Sequence, residues 1–221
     1  MSPSIAIIGC GWGNRRSVEK AFLKVGAEAK ITDDPREILG ADGAVVVGVG
    51  AFPAAMKRLG ESGTVDVLRE RYEAGRPILG ICLGLQVFFE RSEEHGGADG
   101  LGFLAGRVQE LQANGLKVPQ IGWNQVEWSQ DSQLREGIEA EESTFYHLHS
   151  FAAYDAADPD AFFARPEVVG RATYGSAFAT VIEKPPIYGV QFHPEKSSRQ
   201  GLRLLRNFAG ICAKSEPAPA A

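Results

Sequence analysis

The chain has 221 residues, 44% apolar and 23% charged, a globular composition that fits one large domain better than two. Its net charge of −5 leaves no basic nucleic-acid footprint. The longest uncharged apolar stretch, Gly43–Met56, runs 14 residues and is interrupted by Gly48, Gly50 and Pro53, where a membrane span needs about 20. The opening Met-Ser-Pro-Ser-Ile lacks the basic start and apolar core of a secretory signal. Cys10, Cys82 and Cys212 form neither an even set nor a CxxC pair, so no disulfide framework or zinc site is expected and a cytoplasmic location fits.

In chain order, Ile5–Ile8 reads as a buried strand closed by Gly9, Gly11 and Gly13. Asn14 then opens a helix as its cap, with Val18, Ala21, Phe22 and Val25 on one face. Asp34-Pro35-Arg36-Glu37 has the form of a capping box with proline at the first helical position. Val45–Val47 is a second apolar run. A helix with Val65, Leu68 and Tyr72 on its buried face ends at Gly75, and Ile78–Ile81 is the next strand. Strands that are apolar throughout and separated by helices imply a parallel sheet covered on both faces. After Leu101 the pattern changes. Arg107–Leu111, Gln120–Trp128, Thr144–Leu148, Gly170–Tyr174, Phe178–Glu183 and Ile187–Phe192 read as strands with little helix between them. A closing helix carries Leu202, Leu205, Phe208 and Cys212. The expected architecture is a single three-layer α/β domain over residues 1–213, with a mixed, mostly parallel central sheet and an antiparallel extension. Residues 214–221 read as a loose tail, too poor in apolar surface to repay ordering.

Gly80-Ile81-Cys82-Leu83-Gly84 sits between a strand and a helical pattern carried by Leu85, Phe88 and Phe89. This is the G-x-nucleophile-x-G elbow with cysteine in the nucleophile position. A sharp strand-to-helix turn lifts the side chain into a cleft, and flanking glycines relieve the crowding the turn creates. The helix start offers N–H groups that favour a thiolate and an oxyanion. Cys10 and Cys212 have no such context and read as core residues. His193-Pro194-Glu195 follows a strand; residues i and i+2 of an extended segment share a face, so base and carboxylate could both meet the cleft. Taken alone, the same tripeptide also reads as a solvated turn. His147 and His149 share a strand face. His147 reads as structural, His149 as lining the cleft edge, and His95 as an exposed loop residue; no further ligands are spaced for a metal.

Together the elbow and the His-Pro-Glu segment resemble the class I, triad-type glutamine amidotransferases. Further segments narrow the resemblance. They are Gly48-Val49-Gly50-Ala51-Phe52, Gly80–Gln86, Leu116–Asn124 with its Gly122-Trp123-Asn124, His149-Ser150-Phe151, Gly189–Ser198 and Gly201–Phe208. From about Ile5 to Phe208 the pattern is similar to the glutaminase subunits of imidazole glycerol phosphate synthase, a subfamily with a flavodoxin-like fold. The resemblance implies Cys82 as nucleophile, His193 as acid and base, and Glu195 as its orienter. It implies oxyanion donors at Leu83 and on the Gly48-Val49-Gly50 strand. Val49, Gly50, Gln86, Ser150 and Phe151 then hold or flank the glutamine. Asn14, Trp123, Tyr146 and Lys196 match positions facing the partner, a (β/α)₈-barrel cyclase subunit in a heterodimer that receives the ammonia in histidine biosynthesis. No cofactor is implied. For the partner-facing residues plain readings stand beside this one: a helix cap, core aromatics, a solvated lysine. Departures from the usual pattern are Val47 where proline is common, Gln120 where histidine is frequent, and the opening Gly9-Cys10-Gly11-Trp12-Gly13-Asn14.

Two other readings compete. A dinucleotide fingerprint beginning at Gly9 fails because its third glycine would fall on Asn14. A paralogous glutaminase serving a different synthase would show the same chemistry with another acceptor. A non-catalytic relative is disfavoured by the intact Cys82, His193 and Glu195.

Overall fold

The computed structural model describes residues 2–11, 13–129, 131–155 and 157–214. Its first part alternates strand and helix: β1 (Ser4–Gly9), α1 (Arg15–Lys24), β2 (Glu28–Ile31), α2 (Pro35–Gly40), β3 (Gly43–Gly48), α3 (Phe52–Glu61), α4 (Thr64–Glu73), β4 (Ile78–Cys82) and α5 (Leu83–Gln86). Strands then dominate: β5 (Phe89–Ser92), β6 (Ala98–Asp99), β7 (Leu104–Glu110), β8 (Gln120–Gln125), β9 (Glu127–Trp128), β10 (Thr144–His149) and β11 (Phe151–Ala153). After α6 (Pro159–Phe163) come β12 (Val168–Tyr174), β13 (Ser176–Lys184), β14 (Ile187–Val190) and α7 (Ser198–Lys214).

The main sheet runs β2-β1-β3-β4-β14-β13-β11-β7-β5-β6, with β12 and β9 attached beside β13. The five strands from β2 to β14 are parallel; beyond them the pairings are antiparallel except β5 with β7. Period-two alternation divides the core. Ala6, Ile8, Ala44, Val46 and Ile78 pack with α2, α3 and α4 on one face. Ile5, Ile7, Val45, Val47, Leu79 and Ile81 pack with α1 and α7 on the other. The expected three-layer α/β domain with a mixed sheet is what the chain forms.

Several local expectations are corrected. The helical pattern of Leu85, Phe88 and Phe89 yields only the one turn of α5. The carbonyls of Val87, Phe88 and Phe89 accept instead from the N–H groups of Leu101, Leu104 and Gly102, which turns the chain into β5. The Gln120–Trp128 strand breaks at Val126, whose N–H donates to the Ser143 carbonyl at 2.7 Å. Its first part, β8, leaves the sheet and pairs only with β10 as a two-stranded ribbon. Ile187–Phe192 stops as a strand at Val190. Asp34 caps α2 by accepting from the Arg36 N–H at 2.8 Å, but Glu37 turns to Lys30 and leaves the box half made. Asn14 occupies the cap position of α1 in a left-handed conformation, φ 66°, yet makes no cap hydrogen bond. Lys214 closes α7 rather than opening a tail, and the remaining tail residues lie outside the described ones.

Candidate active site

The elbow forms where β4 ends. Cys82 has φ 54° and ψ −111°, a positive φ that a side-chain-bearing residue rarely adopts. By strict alternation it would share a face with Ile78 and Gly80; the reversal places it in the cluster of Leu79 and Ile81 instead. Close approach makes both flanking glycines obligatory. A Cβ on Gly80 would lie 2.6 Å from Gly84 O and from the Leu85 backbone, and a Cβ on Gly84 would strike the Val46 carbonyl oxygen. The sulfur, 5% exposed with its residue, points to the Leu148 carbonyl at 3.7 Å and receives Gln191 Nε2 at 3.6 Å.

The base arrives from the adjacent strand. β4 and β14 pair in parallel, Ile81 opposite Val190, so their C-terminal ends deliver Cys82 and His193 side by side. His193 N–H donates to the Tyr146 carbonyl at 2.8 Å, and Pro194–Lys196 then forms a 3₁₀ turn. His193 and Glu195 therefore meet across a turn and not along an extended strand. Their Nδ1 and Oε1 are 2.9 Å apart, and both side chains are fully enclosed. This is a buried pair, and the solvated-turn reading is overturned. Burial by itself lowers the imidazole pKa. The Cys82 sulfur, by charge and hydrogen bond, and Glu195 outweigh it and raise His193 to about 10.

Asn14 completes this arm. Its Nδ2 donates to Glu195 Oε1 at 2.6 Å and lies 3.2 Å from His193 Nδ1. Because the same carboxylate oxygen faces His193 Nδ1, that nitrogen carries a proton and donates to Glu195, and Asn14 is a second donor to the carboxylate. Asn14 leaves α1 uncapped because its left-handed backbone, φ 66°, departs from the extended conformation of a side-chain cap and its amide is turned toward the carboxylate.

A cleft of about 210 Å³ opens on the sulfur. Val49, Gly50, Leu83, Gln86, Ser150 and Phe151, the six residues expected to hold substrate or oxyanion, all line it. Leu83 begins α5, so its N–H has no partner within the helix. Gly50 has φ +123°, a conformation suited to glycine. Gln86 Nε2 donates to the Phe151 carbonyl at 2.7 Å and to Gln191 Oε1 at 3.1 Å.

The cleft is also lined by His149, as expected, and by one acid–base group outside the expected set. Glu94 lies there with one carboxylate oxygen accepting from the Phe52 N–H at 2.6 Å. His149 donates from Nδ1 to Phe151 O at 3.0 Å, which leaves Nε2 a bare, buried acceptor without a hydrogen-bond partner among the described residues. Burial, and then His147, hold His149 well below the usual imidazole range, so it is neutral. His147 contacts Phe145 O and Thr180 Oγ1 through its two ring nitrogens, a structural role. His95, as expected, is exposed. Nothing in the local sequence marks Glu94, which opens a 3₁₀ turn, Glu94–Gly96, beyond β5. Gln191 sits unmarked within an apolar strand end.

The remaining predicted residues form a rim beside the base. Trp123 and Tyr146 are cross-strand partners on the β8–β10 ribbon with ring centroids 6.2 Å apart, and Lys196 Nζ lies 5.6 Å from the Tyr146 ring. Trp123 is 55% exposed and Ile121 61%, and Leu116 and Val118 are exposed nearby in sequence. Trp123 is thus no core aromatic. Among the described residues no three His, Cys, Asp or Glu side chains converge as a metal site.

Residues 6–211 match the family described as glutamine amidotransferase class-I. The chain belongs to the class-I glutamine amidotransferases. Among relatives of this amidotransferase, the imidazole glycerol phosphate synthase subunit HisH of Moorella thermoacetica is 46% identical over 207 residues, 94% of each chain. The same-named subunit of Bacillus cereus strain G9842 is 44% identical over the same share. Solved structures share the amidotransferase fold at lower identity. PurLQS from Thermotoga maritima superposes with a TM-score of 0.71 at 16% identity, covering 96% of this chain and 99% of that one. The glutaminase domain of CTPS from Trypanosoma brucei with bound acivicin gives 0.65 at 15%, covering 97% and 95%.

Proposed function

We propose that this amidotransferase is the glutaminase subunit of imidazole glycerol phosphate synthase, a cytoplasmic enzyme of histidine biosynthesis. One observation carries the reading: an elbow cysteine and a buried His193–Glu195 pair, delivered by neighbouring strands, meet at a cleft lined by all six expected glutamine and oxyanion residues. The names and coverage of the HisH relatives support the choice of synthase.

The Cys82 thiolate attacks the side-chain carbonyl carbon of glutamine. The Leu83 N–H and an N–H of the Gly48-Val49-Gly50 strand hold the developing oxyanion; one such donor is worth about 2.7–4 kcal/mol of barrier. His193 passes its proton to the departing nitrogen, so ammonia leaves and a thioester remains. Water then gives its proton to His193 as it attacks the thioester, which releases glutamate and restores the thiolate. Glu195 orients the imidazole, and Asn14 braces Glu195. Glu94 supplies a carboxylate for the α-ammonium group of glutamine, and Gln86 with the Ser150 and Phe151 backbone holds the rest.

The partner is the (β/α)₈-barrel cyclase subunit, docked on the Trp123–Tyr146–Lys196 rim. There the ammonia reacts with a phosphoribulosyl carboxamide to give imidazole glycerol phosphate and aminoimidazole carboxamide ribotide. An exposed apolar and aromatic patch next to the base fits such an interface. The test is glutamate release from glutamine with and without the cyclase and its phosphoribulosyl ligand. Release is expected to be slow in the isolated chain and fast in the liganded complex. Cys82→Ala should cut it by about 10⁴-fold or more while synthesis from free ammonia continues. Full turnover without any cyclase, or loss of ammonia-dependent synthesis in an assembled variant complex, would contradict this division of labour.

A further inference from the structure

We infer that Gln191 is a positioning residue for the nucleophile, its amide N–H directed at Cys82 Sγ while its carbonyl holds Gln86. The inference deepens the glutaminase reading and rests on it for the identity of the ligand.

The geometry is a short relay. Gln191 is 1% exposed, between the buried Val190 and Phe192. Its backbone N–H donates to Thr180 O at 2.9 Å, which anchors the residue to β13. Its side-chain Nε2 lies 3.6 Å from Cys82 Sγ, and its Oε1 accepts from Gln86 Nε2 at 3.1 Å.

The direction of the relay does not depend on how the two amides are drawn. A backbone carbonyl can only accept. Gln86 must therefore present its NH₂ to Phe151 O, 2.7 Å away. The second Nε2 hydrogen then points to Gln191, so Gln191 must present its oxygen there. That choice turns the Gln191 NH₂ toward the sulfur. Reversing either amide would set two donors or two acceptors against each other in a buried site, at a cost of about 1–3 kcal/mol. Phe151 O also accepts the Nδ1–H of His149 at 3.0 Å, so both of its lone pairs are committed and the starting point of the relay is fixed.

The chemical consequence follows from the acceptor. A thiol sulfur accepts hydrogen bonds weakly, whereas a thiolate accepts them strongly, because the bond becomes charge-assisted. An amide held at that sulfur therefore favours the ionised nucleophile. The Gln191 carbonyl takes the Gln86 Nε2 hydrogen that Phe151 O does not, so both are committed to the protein and Gln86 Oε1 is left as the acceptor for a donor on glutamine. Gln191 thus joins the reactivity of Cys82 to the orientation of the binding site, and its buried amide is satisfied only while both ends are in place.

The test reads thiol reactivity directly and needs no turnover. The full-length chain is alkylated with iodoacetamide across pH, with the Cys82 peptide followed by mass spectrometry, in the absence and presence of glutamine. Gln191→Met keeps the length and removes both polar ends. Its alkylation midpoint should rise by about one pH unit, about tenfold in thiolate fraction at neutral pH, and glutamine protection should weaken about tenfold. Gln191→Glu keeps an acceptor for Gln86 and sets a carboxylate against the sulfur. Its midpoint should rise at least as far, while protection stays within about threefold of the parent. A Gln191→Met profile that superimposes on the parent's overturns the inference, as does a folded Gln191→Glu variant with an unmoved midpoint. If the parent chain itself gains no protection from glutamine, the glutaminase reading fails, and the pH midpoints still decide the role of Gln191.

Discussion

Cys82 and His193 leave the ends of two hydrogen-bonded parallel strands, yet different forces hold them. The cysteine arm is held by shape. Gly80 and Gly84 admit the backbone of a turn in which any Cβ would collide, and Cys82 itself takes a positive φ. The histidine arm is held by polar contacts: Glu195 on its ring, Asn14 on Glu195, and Ser197 Oγ donating to the His193 carbonyl at 2.6 Å. The contrast teaches that the nucleophile's place is fixed by what cannot fit, and the base's place and charge by what bonds to it. Damage to the first arm should show as lost structure, and damage to the second also as altered protonation.

The largest expected effect strikes the first arm. Gly84→Ala drives a methyl into the Val46 carbonyl and should cost about 1–3 kcal/mol or more, read as a fall in the urea midpoint together with loss of Cys82 alkylation. A stable, fully reactive variant would break the comparison. Asn14→Ala strikes the second arm. Loss of a hydrogen bond to a charged group, about 1.5–3 kcal/mol, should lower glutaminase turnover about tenfold or more. The melting temperature should fall as well, by a few degrees, because the enclosed Glu195 carboxylate is left one donor short.

The pH dependence sharpens the same point. His193 is raised from 6.5 to about 10, so between those values the native chain binds a proton that the unfolded chain has released. Stability from this group is complete below about 6.5 and drains away as pH rises through about 10. The parent should therefore lose stability over that window relative to His193→Asn; equal slopes in urea titrations at a series of pH values would remove the argument. The smallest effect is expected on the rim. Trp123→Ala should leave folding within about 0.5 kcal/mol and weaken cyclase binding by about 1 kcal/mol or more, measured by calorimetry of the two purified subunits.

The parallel half was legible because its strands are buried on both faces and its turns carry glycine or proline. The elbow and the His-Pro-Glu segment were legible as local motifs. What escaped was tertiary. The short edge strand β2 alternates between exposed and half-buried positions and lacks an apolar run. Phe88 and Phe89 fit a helical spacing, but distant N–H groups at Leu101, Gly102 and Leu104 claim the carbonyls a helix would need. Asn14 has the identity and place of a cap, but its amide is turned toward a carboxylate 181 residues away. Gln191 looks like one more residue of an apolar strand end until Cys82 and Gln86 are brought to either side of it.

The β8–β10 ribbon stands apart from the main sheet. It supplies Leu148 and His149 to the cleft and Trp123 to the rim, whereas Cys82 and His193 issue from the sheet's centre. Backbone amides of β4 and β14 should therefore be among the last to exchange with deuterium and those of the ribbon among the first. In a partial opening, recognition would dissolve before reactivity does. The chain would then carry an armed sulfur with no substrate to spend it on, a state in which peroxide would be the fastest customer.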